Sequence, residues 1–344
     1  MKALLAVVLA GGLLGPPALA APGATEVRTV SVAARGETRP VGTDQGDAAD
    51  DPAIWRNPRH PSASLIVATD KKAGLYVYGL DGRVRHFVAA GRVNNVDLVD
   101  LGPLGIIVVA SDRNDEAQAR LGVYRLNRQT GRLTALGSVP GGAGEAYGVC
   151  LVRHGDGFDA FSVLKQGAIH QVRIALEQGK ATGAIIRSLH LPSQTEGCVV
   201  DPRSGTLYVG EEDRGIWALS TDPRDRAARL LALVDGSHLV ADVEGLALAP
   251  VGRRGGWLVA SSQGDNAYAL FRLPDLTPAG RFRIRRGRFG STEETDGIAL
   301  ALGHFGPRYP GGLLVVQDGE NAPAAQNFKL GAWDDIRQAL NRRR

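Results

Sequence analysis

The chain has 344 residues, and its 40 Lys and Arg residues against 36 Asp and Glu residues give a net charge of only +4. This weak bias gives no support for a nucleic-acid partner, which a strongly basic patch would indicate. The 45 glycines and 18 prolines are spread along the chain, which indicates many tight turns and excludes a low-complexity segment. Aromatic residues make up 6% of the chain, so we expect a core built mostly from Val, Leu, Ile and Ala.

The first twenty residues have the pattern of a secretory signal peptide. Lys2 precedes an apolar stretch from Ala3 to Leu14, and Ala18–Ala20 fits a small-residue cleavage site. The stretch is short for a membrane span, and no later segment has eighteen apolar residues. We therefore predict cleavage after Ala20 and a secreted or periplasmic mature protein, residues 21–344, that forms one domain without a membrane anchor.

One pattern, a polar or acidic patch followed by a short apolar run, occurs six times along the chain. The copies are Asp50–Trp55, Asn94–Leu98, Glu145–Cys150, Thr195–Val200, Asp242–Ala247 and Thr295–Leu300. Successive copies lie 46 to 52 residues apart. A period near fifty with strand-like segments is typical of a propeller with one four-stranded blade per repeat. We therefore predict an all-β fold, a six-bladed β-propeller whose antiparallel blades surround a central channel.

A second β-rich run follows each copy and ends in a polar segment. These segments are Thr69–Lys72, Ser111–Asn114, Lys165–Gly167, Gly210–Asp213, Ser261–Asp265 and Gln317–Asn321. In an antiparallel blade, the start of the first strand and the end of the second lie at the same end. The acidic patches and these polar segments are therefore predicted to surround one opening of the channel.

The sequence also bears on a ring-closing strand, a C-terminal helix and the two cysteines. Thr25–Ala34 alternates weakly, which indicates a strand that closes the ring with the last blade. Trp333–Leu340 is predicted to form a peripheral helix. Cys150 and Cys198 occupy equivalent places in consecutive repeats, and the pattern leaves open a disulfide or two buried thiols.

Acidic and polar residues two apart recur at the start of the repeats. Side chains at that spacing share one face of a strand. The pairs are Asn95/Asp97, Glu145/Tyr147, Gln194/Glu196, Asp242/Glu244 and Glu294/Asp296. Several carboxylates in one confined mouth repel each other unless they are protonated or neutralised. Because Asp, Glu and Asn supply hard oxygen ligands, the pattern predicts several bound Ca²⁺ ions.

Basic residues stand in the second-strand segments of the first three repeats. They are Lys71, Lys72, Arg113 and Lys165, whereas the matching places in repeats four and five hold Glu211, Glu212 and Gln263. The mouth is then basic on one side and acidic on the other, which favours a phosphorylated polyanion as the ligand. Taken alone, Lys71 and Lys72 are equally well explained as solvated surface lysines.

The ordered set of motifs resembles the β-propeller phytases, a family of alkaline, calcium-dependent phosphatases with six blades. The motifs are Asp51–Trp55, Thr69–Lys72, Asn94–Asp97, Tyr147–Gly148, Gln194–Gly197, Gly210–Asp213, Asp242–Gly245, Ser261–Gly264, Thr295–Gly297, Gln317–Asn321 and Gln326–Lys329. They cover nearly the whole mature chain in order. The resemblance implies hydrolysis of the phosphate monoesters of phytate (myo-inositol hexakisphosphate) by metal-activated water.

The resemblance also implies roles for individual residues. Its calcium ligands correspond to Asp51, Asn95, Asp97, Glu196, Glu212, Asp242, Glu244 and Asp296, and we add the neighbouring Glu211. Its phosphate-binding groups correspond to Lys71, Lys72, Arg113, Tyr147 and Lys165. All of these except Lys72 are also expected to act in catalysis, and Gln263 is expected to bind substrate. Two departures, Gln166 in place of a family Glu and an Asp-poor 290–294 segment, are expected to weaken or remove a calcium position.

Other readings fit the sequence less well. A calcium-dependent lactonase with this fold would leave Lys71, Arg113 and Lys165 unexplained, because a neutral lactone needs no cluster of cations. A non-catalytic exported propeller would bind a ligand and release nothing.

Arg153–Gly155 resembles the start of the histidine acid phosphatase motif, but the residues that follow lack its second Arg and form a predicted turn. We expect a monomer with a small-molecule polyanionic substrate and no nucleic-acid partner.

Overall fold

The computed structural model describes residues 27–342. The predicted signal peptide, Arg343 and Arg344 lie outside the described residues, as does Thr25 at the start of the predicted ring-closing strand. The described chain forms six sheets, each containing four strands or, in one case, five. They are arranged as the blades of a six-bladed β-propeller, so the fold predicted from the fifty-residue period is confirmed.

Each blade uses four consecutive strands, except the last. Blade one contains β3 (Ala49–Trp55), β4 (Leu65–Asp70), β5 (Gly74–Gly79) and β6 (Val84–Ala89). Blade two contains β7 (Val93–Asp100), β8 (Ile106–Asp112), β9 (Gln118–Leu126) and β10 (Leu133–Ala143). Blade three contains β11 (Ala146–His154), β12 (Gly157–Leu164), β13 (Ala168–Glu177) and β14 (Lys180–His190).

The second half of the ring continues this order. Blade four contains β15 (Thr195–Asp201), β16 (Thr206–Glu211), β17 (Gly215–Ser220) and β18 (Ala228–Leu233). Blade five contains β19 (Val243–Val251), β20 (Gly255–Ser262), β21 (Ala267–Arg272) and β22 (Thr277–Arg285). Blade six contains β23 (Ile298–Leu302), β24 (Gly312–Asp318) and β25 (Asn327–Ala332). Three single-turn 3-10 helices occupy loops at Pro61–Ala63, Gly102–Leu104 and Gln263–Asp265.

The first strand of each blade lies innermost, against the central channel. Each inner strand contacts the inner strand of the next blade, and β23 contacts β3 to complete the circle. Asp51, Asn95 and Asp97 line the channel near one end, and Asp201 and Leu302 line it farther along. The end where the inner strands begin is called the pore mouth below.

Two short strands from the start of the described chain join different blades. β2 (Gly36–Glu37) pairs with β25 and completes blade six, whereas β1 (Thr29–Ala33) pairs in parallel with β22 and extends blade five. The prediction that Thr25–Ala34 closes the last blade was therefore wrong, because the closing residues come just after it. Val32 explains the choice, since it packs into an apolar cluster of blades five and six and the C-terminal helix.

Aliphatic side chains fill the spaces between blades. Between the first two blades, for example, Val67 and Val77 pack with Val96 and Val108, and all four are buried. The middle strands are covered on both faces, and every residue of β4 is buried. This arrangement explains the continuous apolar runs in the sequence and agrees with the core of Val, Leu, Ile and Ala expected from the composition.

The predicted peripheral helix is confirmed as α1 (Trp333–Asn341). Trp333 and Ile336 are buried against blades five and six, and Arg35 Nε donates to Asp335 Oδ2 at 2.7 Å. Within residues 27–342, the structure contains no helix whose length and apolar character would suffice to cross a membrane.

The sequence left the state of the two cysteines open, and the structure joins them in a disulfide. Cys150 on β11 and Cys198 on β15 have Cα atoms 5.9 Å apart. The bond therefore links the inner strands of blades three and four beside the channel. It closes a loop between positions 48 residues apart in the sequence.

Replacing both cysteines by serine is expected to destabilise the protein. A loop of this length contributes about 2–4 kcal/mol to the free energy of unfolding by restricting the unfolded chain. Urea unfolding followed by tryptophan fluorescence measures the difference, with wild type under reducing conditions as the matched comparison. An unchanged unfolding midpoint in both would contradict a structural role for the disulfide.

Candidate functional site

The inner strands approach each other closely at the pore mouth because glycine follows several of the predicted site residues. Gly148, Gly197, Gly245 and Gly297 directly follow Tyr147, Glu196, Glu244 and Asp296. A Cβ on Gly197 would overlap the backbone carbonyl of Glu244, and a Cβ on Gly297 would overlap Asp51. Only glycine permits this spacing. It holds the acidic side chains of neighbouring blades within reach of one another.

The start of the inner strand is irregular in five blades. The pairing with the second strand shifts register between Ala49/Pro52, Val93/Val96, Ala146/Gly148, Thr195/Cys198 and Val243/Leu246. Each shift places extra residues opposite the partner strand, as in a β-bulge, which re-aims the local side chains. The strict alternation of side chains between the two faces of a strand, from which the acidic pairs were predicted, therefore does not hold at the pore mouth.

Five buried carboxylates meet at the pore mouth and are called the acidic cluster. Its members are Asp50, Glu196, Glu212, Glu244 and Asp296. One oxygen each from Asp50, Glu196 and Asp296 lie within 4.8 Å of one another, and so do oxygens of Glu196, Glu212 and Glu244. Glu196 belongs to both sets. Four of the five were predicted as metal ligands from the sequence, and Asp50 was missed.

The acidic cluster contains buried oxygens that make no hydrogen bond. Both Oδ atoms of Asp50 and Oε2 of Glu244 make no hydrogen bond within the described part of the chain. Buried polar atoms are nearly always paired, and an unpaired carboxylate in the interior is costly. A cation bound between these oxygens would satisfy them. The all-oxygen donor set fits a hard divalent cation better than a soft transition metal.

Lys71 provides part of the charge balance. Its Nζ lies 3.3 Å from Asp296 Oδ2, 3.8 Å from Asp50 Oδ2 and 2.6 Å from Oδ2 of the exposed Asp47. The Lys71 side chain is only 10% exposed, so it is not a solvated surface lysine. Lys72 is exposed, and its Nζ donates to the Gln45 carbonyl oxygen at 2.7 Å.

Burial shifts the acid–base behaviour of the acidic cluster. Desolvation, followed by repulsion from Asp296, raises the pKa of Glu196 to about 8. Desolvation, reinforced by Asp242 and Asp296, raises the pKa of Glu212 to about 7 despite a hydrogen bond from Gln194. The pKa values of Asp50 and Glu244 also rise well above the ordinary range because burial disfavours their charged forms. Without a bound cation, the cluster therefore retains protons near neutral pH.

A second group, called the cationic cluster, comprises Arg113, Lys165, Tyr147 and Glu145. The Arg113 guanidinium carbon lies 5.7 Å and the Lys165 Nζ 5.1 Å from the centre of the Tyr147 ring. Desolvation, followed by the negative charge of Glu196, raises the pKa of the Tyr147 phenol far above its ordinary value. Tyr147 therefore keeps its proton and can donate a hydrogen bond. The structure brings together the three predicted phosphate-binding residues of blades two and three.

Asp51, Asn95 and Asp97 lie on the inner strands next to the acidic cluster. Asp51 Oδ2 accepts the Val96 amide at 3.0 Å, across the boundary between blades one and two. Asp97 accepts the amides of Leu98 at 2.7 Å and Leu151 at 2.8 Å, so both its oxygens are occupied. Burial raises the pKa of Asp97 to about 6. These aspartates link neighbouring inner strands.

The remaining predicted residues lie farther from the cluster centre or point away from it. Glu211 is buried inside blade four, where Oε1 accepts from Ser193 and Oε2 accepts the Trp217 indole NH at 2.7 Å. Asp242 is half-buried, and burial and then Asp213 raise its pKa. The backbone NH of Gln263 donates to the backbone carbonyl oxygen of Asp242 at 3.0 Å. The structure thus places Asp242 beside Gln263 and does not bring Glu211 into the acidic cluster.

Sequence reasoning missed Asp50 and Asn94 as site residues, and it placed Glu145 at the mouth without giving it a role. Asn94 Nδ2 donates to Glu196 Oε1 at 2.6 Å. The signals were present in the doubled acids and amides Asp50–Asp51 and Asn94–Asn95, since a bulge lets either member turn inward.

The fold and the two clusters define a six-bladed propeller whose pore mouth could hold metal ions beside a group of fixed cations. A family model described as Phytase matches residues 2–344, so the chain belongs to the Phytase family, and the resemblance seen in the sequence is confirmed. A 3-phytase of Bacillus subtilis (strain 168) is 39% identical over 330 residues, which cover 90% of this chain and 85% of that protein.

Among solved structures, a chain of a mitotic checkpoint complex aligns with 94% of this chain and 88% of its own length. The two are 15% identical and superpose with a TM-score of 0.47. A likeness at that level carries no argument about fold or function.

The raised pKa values predict how metal-free protein responds to pH. The folded state keeps protons on Glu196 and Glu212 up to about pH 8 and 7, whereas unfolded glutamates release them near 4.5. Because the folded state then binds more protons, stability is expected to fall as the pH rises through this window and to level off above it. Urea unfolding midpoints in chelator, measured from pH 5 to 9, test this, and Glu196→Gln should flatten the slope. A wild-type midpoint that rises with pH would contradict it.

Proposed function

We propose that this protein is a calcium-dependent phytase, which releases inorganic phosphate and lower inositol phosphates from myo-inositol hexakisphosphate. The observation that carries the proposal is the buried acidic cluster, with oxygens of Asp50 and Glu244 that make no hydrogen bond, beside the cationic cluster at one pore mouth. Membership of the Phytase family and the 3-phytase relative support the substrate. A highly phosphorylated ligand suits this mouth because one side offers fixed cations and the other attracts mobile ones.

Calcium is the ion we assign to the acidic cluster. Glu196 and the four other cluster carboxylates would hold it, with Asn95 and Asp242 at the margin and Asp51 and Asp97 supporting the inner strands. When bound, calcium would supply a Lewis acid for phosphate oxygens and lower the pKa of a coordinated water. Lys71 would remain paired with Asp296 and add one fixed positive charge to the acidic side.

The cationic cluster is assigned to the transferring phosphoryl group. Arg113 offers a planar fork of donors, Lys165 a compact charge and Tyr147 a neutral hydroxyl, and together they would orient the phosphate and stabilise the charge it gains in the transition state. No side chain is required as a covalent nucleophile. The exposed Lys72, and Gln263 near Asp242, would contact the phosphates that are not being cleaved.

Export is part of the proposal. The signal-like residues 1–20 and a disulfide between Cys150 and Cys198 both suit an oxidising compartment, either the periplasm or the medium. Phytate can then be met outside the cytoplasm. We further propose that the enzyme acts as a monomer.

Phosphate release from phytate is the decisive measurement. Calcium-loaded protein is expected to release phosphate, chelation to stop the release, and added calcium to restore it. Activity should increase toward alkaline pH, because calcium lowers the pKa of water only modestly and the carboxylates must lose protons to bind it. Retention of phytate without release would instead identify a binding protein, and activity that survives complete chelation would contradict the metal requirement.

Removing either fixed cation is expected to cut turnover. Loss of one donor to the transition state typically costs about 3–4 kcal/mol, so Arg113→Ala and Lys165→Ala should each lower kcat about a hundredfold or more. Lys180→Ala, on the exposed outer strand of blade three, is the matched control and should keep wild-type turnover. Near-wild-type kcat in both Arg113→Ala and Lys165→Ala would show that the cationic cluster is not the reacting site.

A further inference from the structure

A carboxylate lies between the two fixed cations of the cationic cluster. Glu145 Oε1 is 3.3 Å from Arg113 Nη1, and Glu145 Oε2 is 3.6 Å from Lys165 Nζ. Each oxygen therefore faces one cation. Both distances exceed those of a tight charge-assisted hydrogen bond, so the contacts hold the cations without occupying them fully.

The backbone fixes Glu145 in this place. It immediately precedes β11, and the Lys165 amide donates to the Glu145 carbonyl oxygen at 3.1 Å. The register shift between Ala146 and Gly148 then directs Tyr147 toward the same two cations. The Glu145 side chain is 16% exposed and the Arg113 side chain 15%, so this ion pair is shielded from water more than an ordinary surface pair.

The cationic cluster consequently carries less positive charge than its two cations suggest. Arg113 and Lys165 together contribute two positive charges, and Glu145 cancels one of them. A phosphate that approaches Arg113 and Lys165 must compete with the carboxylate for their donors and is also repelled by it. Since Tyr147 stays protonated, Glu145 is the single anion of the cationic cluster. The space between Arg113, Lys165 and Tyr147 is called the phosphate subsite, and it is this subsite that Glu145 borders.

We propose that Glu145 is a positioning residue that sets the affinity of this subsite for phosphate. It holds Arg113 and Lys165 in place in the free enzyme and weakens the binding of the inorganic phosphate product, which promotes its release. The inference rests on the proposed function, because it assigns the cationic cluster to phosphate.

The test replaces the charge of Glu145 while keeping its size. Inorganic phosphate is titrated into wild type and Glu145→Gln by calorimetry, in chelator and with calcium, and its inhibition constant is measured against phytate. Glu145→Gln is expected to bind phosphate at least threefold more tightly and to show a lower inhibition constant and a lower KM, with no matching rise in kcat. A purely structural role would not tighten binding.

Two further variants separate charge from shape. Glu145→Ala also removes the charge and should tighten phosphate binding in the same direction, whereas Glu145→Asp keeps the charge and should bind more weakly than Glu145→Gln. Asp81→Asn makes the same change in net charge at the exposed Arg85 pair and is the matched control, with unchanged phosphate affinity.

The possible outcomes distinguish the two proposals. Unchanged or weaker phosphate binding by both charge-removing variants overturns the role of Glu145, and so does the absence of phosphate binding by every protein tested. If wild type binds phosphate but releases none from phytate, the proposed function fails, while the titrations still decide the role of Glu145.

Discussion

The burial of several carboxylates at one end of a common axis is the constraint around which the pore mouth is organised. Asp50, Glu196, Glu244 and Asp296 come from four different blades and have lost most of their contact with water. Lys71 is the only Lys or Arg in residues 27–342 that forms an ion pair with them. Desolvation and repulsion therefore favour either protons or bound cations in the cluster. Because the cluster favours bound positive charge, this fold suits a metal-assisted function.

The backbone creates this crowding by two local devices. Glycine after Tyr147, Glu196, Glu244 and Asp296 lets neighbouring inner strands approach more closely than any larger residue would allow. Register shifts at the start of five inner strands then turn side chains that strict alternation would point elsewhere. The disulfide between β11 and β15 joins two of these strands just beyond the mouth. The site is thus built on closely packed, bulged inner strands, two of which a disulfide links.

The two clusters adjoin without cancelling each other. The acidic cluster retains unpaired oxygens, and the cationic cluster retains Arg113 and Lys165 around a single carboxylate, Glu145. In the proposed function, a polyphosphorylated ligand meets both clusters at once, with fixed positive charges on one side and bound cations on the other. The separation arises because blades one to three supply the basic turns and blades four to six supply most of the acids.

The sequence by itself determined the number of blades, and it indicated that acidic and basic residues gather at one end of the channel and which residues most of them are. These follow from the fifty-residue period and from the residue types at equivalent positions of each repeat. Both can be recognised from the order of residues along the chain. Only the tertiary structure decided that Asp50 joins the acidic cluster while Asp51 links two strands, that Glu212 faces the mouth while Glu211 binds Trp217, and that β2 rather than β1 completes the last blade. Each of these arrangements depends on a β-bulge or on a contact with a residue far away in sequence. Neither can be predicted from the spacing of residues along the chain.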